Sequence, residues 1–258
     1  MKLSVIIPFF NEIEFIERAI NSIFSQNLES SYVEIIICND GVLSECEILA
    51  RISIEFHFAI QIIKNRLPRG PGGARNSGLD VCTGDLIAFL DADDFWLPGK
   101  INEQRLKISH GATFVATAYR FDAGAAVVQP PQAIKKPVDV FLCRGIGTST
   151  VVITRTLLAE LRFKDLRFAQ DIDFWYVLAS SQHFRYAAVD ACFVQYSTGG
   201  STKNKWVQLQ YLQKVLRIND VTWLLRARVL SSYVLRGIYN HYIKRLLACV
   251  WRTRKETS

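Results

Sequence analysis

The chain has 258 residues, of which 50% are hydrophobic and 21% are charged, so general disorder is excluded. Lysine and arginine outnumber aspartate and glutamate by 31 to 24, and residues 221–258 alone, with eight basic residues and one acidic residue, account for that excess. A nucleic-acid-binding protein would spread its positive charge over a folded face, so we expect no nucleic-acid partner.

The first ninety residues predict strands that alternate with helices. Short apolar runs end at polar residues or proline, as buried parallel strands do, and the apolar residues between them recur on one helical face. The predicted strands are 5–7, 33–38, 59–64 and 86–90, and the predicted helices are 12–26, 45–54 and 74–81, with a glycine-rich loop over 65–73. This alternation predicts an α/β fold with a parallel sheet and right-handed crossovers.

The rest of the chain is less regular until residue 206, beyond which it reads as helical. We predict helices at 100–109, 157–161 and 171–180, strands at 113–118 and 186–189, a loop or lid at 122–137, and a polar break at 197–205. From Leu235 to Val250 apolar residues are spaced by three and one, with basic residues opposite, which indicates an amphipathic helix with a basic face. The predicted domains are therefore 1–205 and a helical extension, 206–258.

Carboxylates follow three of the predicted strands. Glu12 comes after the first, Asp40 after the second, and Asp91 and Asp93 after the fourth, so all should meet at one edge of the sheet. Such a cluster is costly without a cation, and hard oxygen ligands suit Mg²⁺ or Mn²⁺ that already carries phosphate oxygens. A single aspartate after a strand can instead be a helix N-cap, which fits Asp94.

The glycine-rich loop and Arg75 add features that bind anions. Glycines permit close backbone approach, the following helix start attracts negative charge, and Arg75 offers a planar fork for phosphate. An ordinary glycine-rich turn is the alternative. Together with the acidic pair, these features predict a metal–diphosphate ligand.

Five motifs carry a resemblance to a known family. They are SVIIPFFNE, Asn39-Asp40-Gly41, GPGGARNSGL, TGDLIAFLDADD and Gln170-Asp171-Ile172-Asp173-Phe174-Trp175. In this order and spacing, over about residues 3–202, the chain resembles the family 2 glycosyltransferases of the GT-A fold, of the bacterial surface-polysaccharide type. The resemblance implies a mostly parallel central sheet flanked by helices.

The resemblance also implies site residues. Asp171 would be the catalytic base, Asp91 and Asp93 would hold a Mn or Mg ion, and Asp40 would receive the nucleotide base, most often uracil. Trp96 and Gln170 are candidate contacts to the acceptor or donor sugar. The implied nucleotide-binding residues are Pro8, Phe9, Phe10, Glu12, Asp40, Arg75, Asp91 and Ala92.

Two departures from the family pattern concern the site. Gln170 stands where the family commonly has glutamate, which removes a charge beside Asp171. The arginine and histidine that often precede the late glycine–serine stretch are missing after Tyr196, which leaves no histidine metal ligand there.

The implied function is an inverting, metal-dependent transfer of a sugar from a UDP-sugar to a hydroxyl of a glycan or polyprenyl-linked acceptor in cell-surface polysaccharide biosynthesis. A sugar nucleotidyltransferase and a non-catalytic sugar-nucleotide-binding protein are the alternatives. The basic tail, 221–252, would contact an anionic membrane, or else pack on the domain. Six cysteines without a CxxC pair and no predicted signal peptide or spanning helix favour a cytoplasmic protein at the inner face of the cell membrane.

Overall fold

The structure, a computed structural model, describes residues 1–52, 59–122, 126–143, 145–197 and 205–238. The chain divides into two compact units, Met1–Ser201 and Thr202–Ser258, which we describe separately.

The first unit is built around one sheet with nine strands in the described part of the chain. The spatial order is β3-β2-β1-β4-β8-β6-β9-β5, and β7 pairs with the end of β6. The strands are β1 (Leu3–Phe9), β2 (Val33–Asn39), β3 (Ala59–Lys64), β4 (Leu86–Phe89), β5 (Phe95–Trp96), β6 (Phe114–Phe121), β7 (Val127–Val128), β8 (Val151–Thr154) and β9 (Tyr186–Tyr196).

Helices cover both faces of this sheet. In the first unit they are α1 (Ile16–Phe24), α2 (Glu45–Leu49), α3 (Pro71–Val81), α4 (Lys100–Ser109), α5 (Asp139–Leu142), α6 (Arg155–Leu158) and α7 (Gln170–Ala179). The predicted loop over 65–73 is shorter than expected, because α3 begins at Pro71, where a proline needs no hydrogen-bond partner for its nitrogen. The predicted lid region contains β7, and residues 123–125 of it lie outside the described residues.

The first four strands form the parallel half that the sequence predicts. β1 pairs in parallel with β2 and β4, and β2 pairs in parallel with β3. β8 is then inserted antiparallel between β4 and β6, and β6 and β9 again run parallel to each other and in the direction of β1. The α/β fold class is confirmed, and the carboxyl ends of β1, β2, β3, β4 and β6 lie along one edge.

Strict alternation along β1 divides the core into two layers. Val5, Ile7 and Phe9 point to the face covered by α1, α2 and α4, whereas Ile6 points to the face covered by α3, α6 and α7. Burial of each large apolar side chain in these layers contributes roughly 1.5–3 kcal/mol to the free energy of folding. Trp175 of α7 is among them, and it packs edge-on against Phe114 with ring centroids 5.2 Å apart.

The second unit is helical where it is described. It consists of α8 (Lys205–Ile218) and α9 (Trp223–Ile238), and Tyr233 Oη donates a hydrogen bond of 2.8 Å to Gln208 Oε1 between them. Most of the amphipathic pattern predicted beyond Leu235, from 239 onward, lies outside the described residues, as do 198–204 of the predicted polar break. Within the described residues, no helix combines the length and apolar content needed to cross a bilayer.

Candidate active site

The end of β1 and the end of β2 meet in a tight backbone contact. The Asp40 N–H donates to the Phe9 carbonyl at 2.7 Å, and a Cβ on Gly41 would lie 1.7 Å from the Phe10 carbonyl oxygen, so only glycine fits there. The Glu12 carboxylate accepts the backbone N–H groups of Phe10 and Asn11, at 2.8 and 3.0 Å. Glu12 therefore closes the turn after β1, while Phe10 stays 48% exposed beside it.

Asp40 holds the loop that leads into α3. Its Oδ1 accepts from Asn65 Nδ2 at 2.7 Å, and its Oδ2 accepts from the Gly70 N–H at 2.8 Å. The side chain is almost fully buried by these contacts. Each carboxylate oxygen keeps a second lone pair, so Asp40 still has acceptor capacity for a ligand.

Arg75, in the first half of α3, reaches across to the fourth strand. Its Nη2 donates to Asp91 Oδ1 at 2.6 Å, and only 4% of the side chain is exposed. The guanidinium also lies 5.5 Å from the centre of the Phe163 ring. The glycine-rich segment and the acidic turn therefore lie close together in the structure. Arg75 already occupies one Asp91 oxygen.

The acidic turn after β4 carries three carboxylates with different environments. Burial, together with repulsion from Asp91, raises the pKa of Asp93, which is half-buried. Burial and the same neighbour raise the pKa of Asp94 to about 8. Asp94 is buried, and its Oδ1 accepts the Ser197 N–H at 3.2 Å; it is not the N-cap the sequence suggested, because α4 begins after Gly99.

Asp171 lies in the first turn of α7, close enough to the acidic turn for Asp91 to affect its pKa. Burial raises its pKa, Arg75 lowers it, and Asp91 raises it again. Gln170 is buried beside it, and its Oε1 lies so close to Gly72 that a Cβ there would approach to 2.2 Å. The start of α7 is therefore packed against the start of α3, and a carboxylate with a raised pKa stands near Arg75 and Asp91.

These carboxylates suit a divalent cation only in part. Among the described residues, no group of three or more histidine, cysteine, aspartate or glutamate side chains is arranged to hold a metal ion by itself. Asp91 and Asp93 still offer two hard oxygen ligands, and their mutual repulsion is what a cation would relieve. The donor set fits Mg²⁺ or Mn²⁺ whose remaining ligands are phosphate oxygens and water.

Three predicted site residues have their side chains in the core. Trp96 is 1% exposed and donates its indole N–H to the Ser149 carbonyl at 2.9 Å, so the prediction that it contacts a sugar is wrong. Phe9 and Ala92 are buried among core residues, so only their backbone groups can face a nucleotide. Pro8 is half-buried at the end of β1.

Ser149 organises the acidic turn, although nothing in the sequence singles it out. Its Oγ accepts the Asp91 N–H at 3.1 Å and lies 2.6 Å from Asp94 Oδ2, and its N–H donates to Tyr196 Oη at 3.0 Å. Burial raises the pKa of Tyr196 far above its usual value. Ser149 follows no motif, and Tyr196 ends β9, which extends past the predicted strand 186–189.

Comparison with known families and proteins gives consistent matches. A family model described as glycosyl transferase family 2 matches residues 4–160. The Escherichia coli UDP-Glc:alpha-D-GlcNAc-diphosphoundecaprenol beta-1,3-glucosyltransferase WfgD is 27% identical over 248 residues, which cover 93% of this chain and 94% of that protein. The Campylobacter jejuni GalNAc(5)-diNAcBac-PP-undecaprenol beta-1,3-glucosyltransferase is 28% identical over 227 residues, with 82% and 72% coverage.

Solved structures share the fold at low sequence identity. S. aureus TarS 1–349 in complex with UDP-GlcNAc superimposes with a TM-score of 0.69 at 17% identity, covering 93% of this chain and 73% of that one. The mannosyltransferase PcManGT from Pyrobaculum calidifontis, in complex with GDP-Man and Mn²⁺, gives a TM-score of 0.64 at 15% identity, with 98% and 80% coverage. These likenesses show the fold.

Proposed function

The chain belongs to glycosyl transferase family 2, and from this premise we propose that it is an inverting, metal-dependent transferase that moves a sugar from a nucleotide-diphospho-sugar to a hydroxyl group. The observation that carries the proposal is the ion pair of 2.6 Å between Arg75 and Asp91, with Asp171 near enough that both charges act on its pKa. This arrangement supports a base, a phosphate-binding arginine and a metal-ligating carboxylate in one site at the carboxyl edge of the sheet, where open α/β sheets bind ligands.

The proposed chemistry needs one base from the protein. Asp171 accepts the proton of the acceptor hydroxyl while that oxygen bonds to the anomeric carbon, and the carbon–oxygen bond to the departing diphosphate breaks on the opposite face. Because the hydroxyl attacks from the face opposite the leaving diphosphate, the anomeric centre is inverted and no protein nucleophile is required. A divalent ion held by Asp91 and Asp93 would neutralise the diphosphate as a Lewis acid.

We assign the donor as a UDP-sugar and the acceptor as a polyprenyl-linked saccharide. The two relatives described above are named for undecaprenol-linked acceptors, and one is named for UDP-Glc. Asp40, at the end of β2, would receive the base, and Phe10 and Glu12 would line the nucleoside. The product would enter bacterial surface-polysaccharide biosynthesis, with the enzyme at the cytoplasmic face of the membrane.

The second unit supports the membrane part of this proposal. On α9, Trp223 and Leu224 are 72% and 62% exposed, and Arg228 lies one turn further along the same side. Exposed aromatic and aliphatic groups beside basic ones favour binding to anionic lipid, and residues 221–252 hold most of the chain's excess positive charge. We propose that this segment contacts the inner leaflet.

A donor-binding and transfer assay tests the enzymatic proposal. We expect a UDP-sugar with Mn²⁺ to raise the melting temperature of the wild type more than dTDP- or GDP-sugars do, because a ligand stabilises the state it binds. Asp93→Ala should lose the metal-dependent part of that shift. Nucleotide binding without any transfer or donor hydrolysis would favour a non-catalytic protein, and formation of a sugar nucleotide would favour a nucleotidyltransferase.

A further inference from the structure

Arg18 stands at the rim of the active site, although no motif includes it. It lies on the exposed side of α1, the helix that follows the turn closed by Glu12. Its Nη2 donates a hydrogen bond of 2.7 Å to the backbone carbonyl of Asp93. The guanidinium is therefore attached to the same turn that presents the proposed metal ligands.

Two aromatic rings fix the orientation of this guanidinium. Its central carbon lies 4.7 Å from the centre of the Phe95 ring and 5.4 Å from that of the Phe15 ring. Such cation–π contacts hold the planar group without neutralising it. Phe15 is itself 39% exposed, so the stack faces solvent beside the site.

Arg18 differs from Arg75 in that its guanidinium contacts no carboxylate directly among the described residues, although its charge lies near enough to lower the pKa of Asp93. Arg75 is buried and paired with Asp91, whereas Arg18 makes no ion pair with a carboxylate in the part of the chain that the structure describes. One hydrogen bond to a carbonyl leaves most of the five N–H donors of a guanidinium available. A planar, oriented guanidinium with free N–H donors of this kind matches phosphate oxygens.

We propose that Arg18 is a second phosphate-binding residue of the active site, which contacts a diphosphate group of a substrate at the solvent side of the acidic turn. This inference rests on the proposed function, which supplies two sources of that group. One is the diphosphate of the nucleotide-sugar, and the other is the diphosphate that joins a lipid-linked acceptor sugar to its lipid.

Two binding measurements distinguish these sources. Binding of UDP with Mn²⁺ reports on the donor diphosphate, and binding of octyl diphosphate to the UDP-saturated protein reports on the acceptor diphosphate. The variants are Arg18→Gln, which removes the charge, and Arg18→Lys, which keeps the charge but loses the planar fork. Arg105→Lys is the matched control, because Arg105 also donates to a backbone carbonyl, that of Met1, at the opposite edge of the sheet. Octyl glucoside measures the contribution of the alkyl chain alone.

We expect Arg18→Gln to weaken octyl diphosphate binding about tenfold or more and Arg18→Lys to weaken it less, with UDP affinity within twofold of wild type. A loss of UDP affinity instead would support the same residue role with the donor as the source. The inference is overturned if the affinities for octyl diphosphate and UDP both stay unchanged. It is also overturned if both affinities fall together with the melting temperature and the Mn²⁺ affinity, because Arg18 would then only stabilise the acidic turn. Wild-type binding of UDP with Mn²⁺ reports on the proposed function independently.

Discussion

Asp171 owes its predicted reactivity to its surroundings. Its position at the start of a helix would by itself favour the ionised form, because a helix N-terminus stabilises negative charge. Burial acts in the opposite direction and raises its pKa, with Arg75 providing part of the compensation. A carboxylate held in this balance is a better proton acceptor than an exposed aspartate, which is what a general base requires.

Replacement of Asp171 by asparagine should therefore abolish turnover and preserve donor binding. We expect transfer to fall by roughly 10²- to 10⁴-fold, the usual contribution of a general base, with UDP affinity unchanged. Steady-state kinetics and a UDP titration measure the two effects. Asp173→Asn, two residues further along α7 and fully buried, is a structural comparison; a larger kinetic loss there at equal stability would contradict the assignment.

The raised pKa of Asp171 also sets the acid limb of the pH profile. The base must be ionised to act, so kcat/KM should rise with pH through an apparent pKa above 3.8, the ordinary value for aspartate. The profile is measured with a soluble acceptor at constant ionic strength. An acid limb at or below the ordinary value would argue against Asp171 as the titrating group.

Single residues also mark the limit of what the sequence could predict. Strand ends predict Asp40, Asp91 and Asp93, the glycine-rich loop predicts Arg75, and the family resemblance implies Asp171. The structure brings Arg75, Asp91 and Asp171 together. Trp96 was mispredicted because an aromatic residue after an acidic turn looks the same whether it points outward or inward. Its direction is set by Ser149, which is distant in sequence. Phe9 could have been recognised, since it continues the inward alternation of β1.

At the scale of elements, continuous apolar patterns predict some bounds well, whereas short strands are missed and β9, Tyr186–Tyr196, is predicted only over 186–189. The predicted bounds of β3 and α4 coincide with the structure, because their apolar residues or helix periodicity are continuous. β5 has only two residues and exists because it pairs with β9, about a hundred positions away. β8 is a run of β-branched residues, Val151–Thr154, which carried a usable signal.

The start of α3 makes a prediction about two adjacent glycines. A Cβ on Gly73 would lie 1.9 Å from the backbone oxygen of Pro68, whereas a Cβ on Gly72 would meet the end of the Gln170 side chain at 2.2 Å. The backbone at Pro68 cannot move aside as easily as the flexible Gln170 side chain. Gly73→Ala should therefore lower the free energy of unfolding by several kcal/mol, and Gly72→Ala should lower it by about 1 kcal/mol, as measured by denaturant unfolding.

The Gly72 substitution should have a second effect that depends on Gln170. If displaced Gln170 disturbs its neighbour Asp171, Gly72→Ala will lower kcat, and Gln170→Ala added to it will restore part of the loss. Independent effects of the two substitutions on kcat would show that the contact between Gly72 and Gln170 does not influence Asp171.

Glu34 on β2 ties the amino ends of three strands together. Burial raises its pKa, but hydrogen bonds from Lys2, Ser4 and Thr83 outweigh this and lower it to about 2. The ionised form is thus favoured in the folded state. Its contribution to stability is present above the unfolded pKa, near 4.5, and is lost as the pH falls toward 2.

Glu34→Gln should accordingly destabilise the protein in a pH-dependent way. We expect the free energy of unfolding to drop by about 1–2 kcal/mol at pH 7, the scale of charge-assisted hydrogen bonds, and the difference from wild type to narrow below pH 4.5. Urea unfolding at pH 7 and at pH 3 measures it. A difference that stays constant between those pH values would show that the charge is not what stabilises the junction.

At the scale of the whole molecule, membrane binding can be tested apart from catalysis. Trp223→Ser combined with Leu224→Ser should reduce cosedimentation with vesicles containing anionic lipid severalfold, since exposed apolar groups supply much of interfacial affinity. Leu106→Ser, a similarly exposed leucine on α4, is the matched control and should leave binding unchanged. If the double variant and the wild type bind vesicles equally, α9 does not take part in the proposed membrane contact.

The hydrogen bond between Asp94 and Ser197 joins residues 103 positions apart. After the acidic turn has been synthesised, the ribosome must therefore add about a hundred more residues before the end of β9 can pack against that turn. Until then Asp94 lacks the hydrogen bond that the Ser197 N–H donates, and β9 does not hold the acidic turn. On the proposed function, nucleotide affinity should therefore appear late in translation, and stalled chains that end before Ser197 should be inactive however well their first four strands have folded.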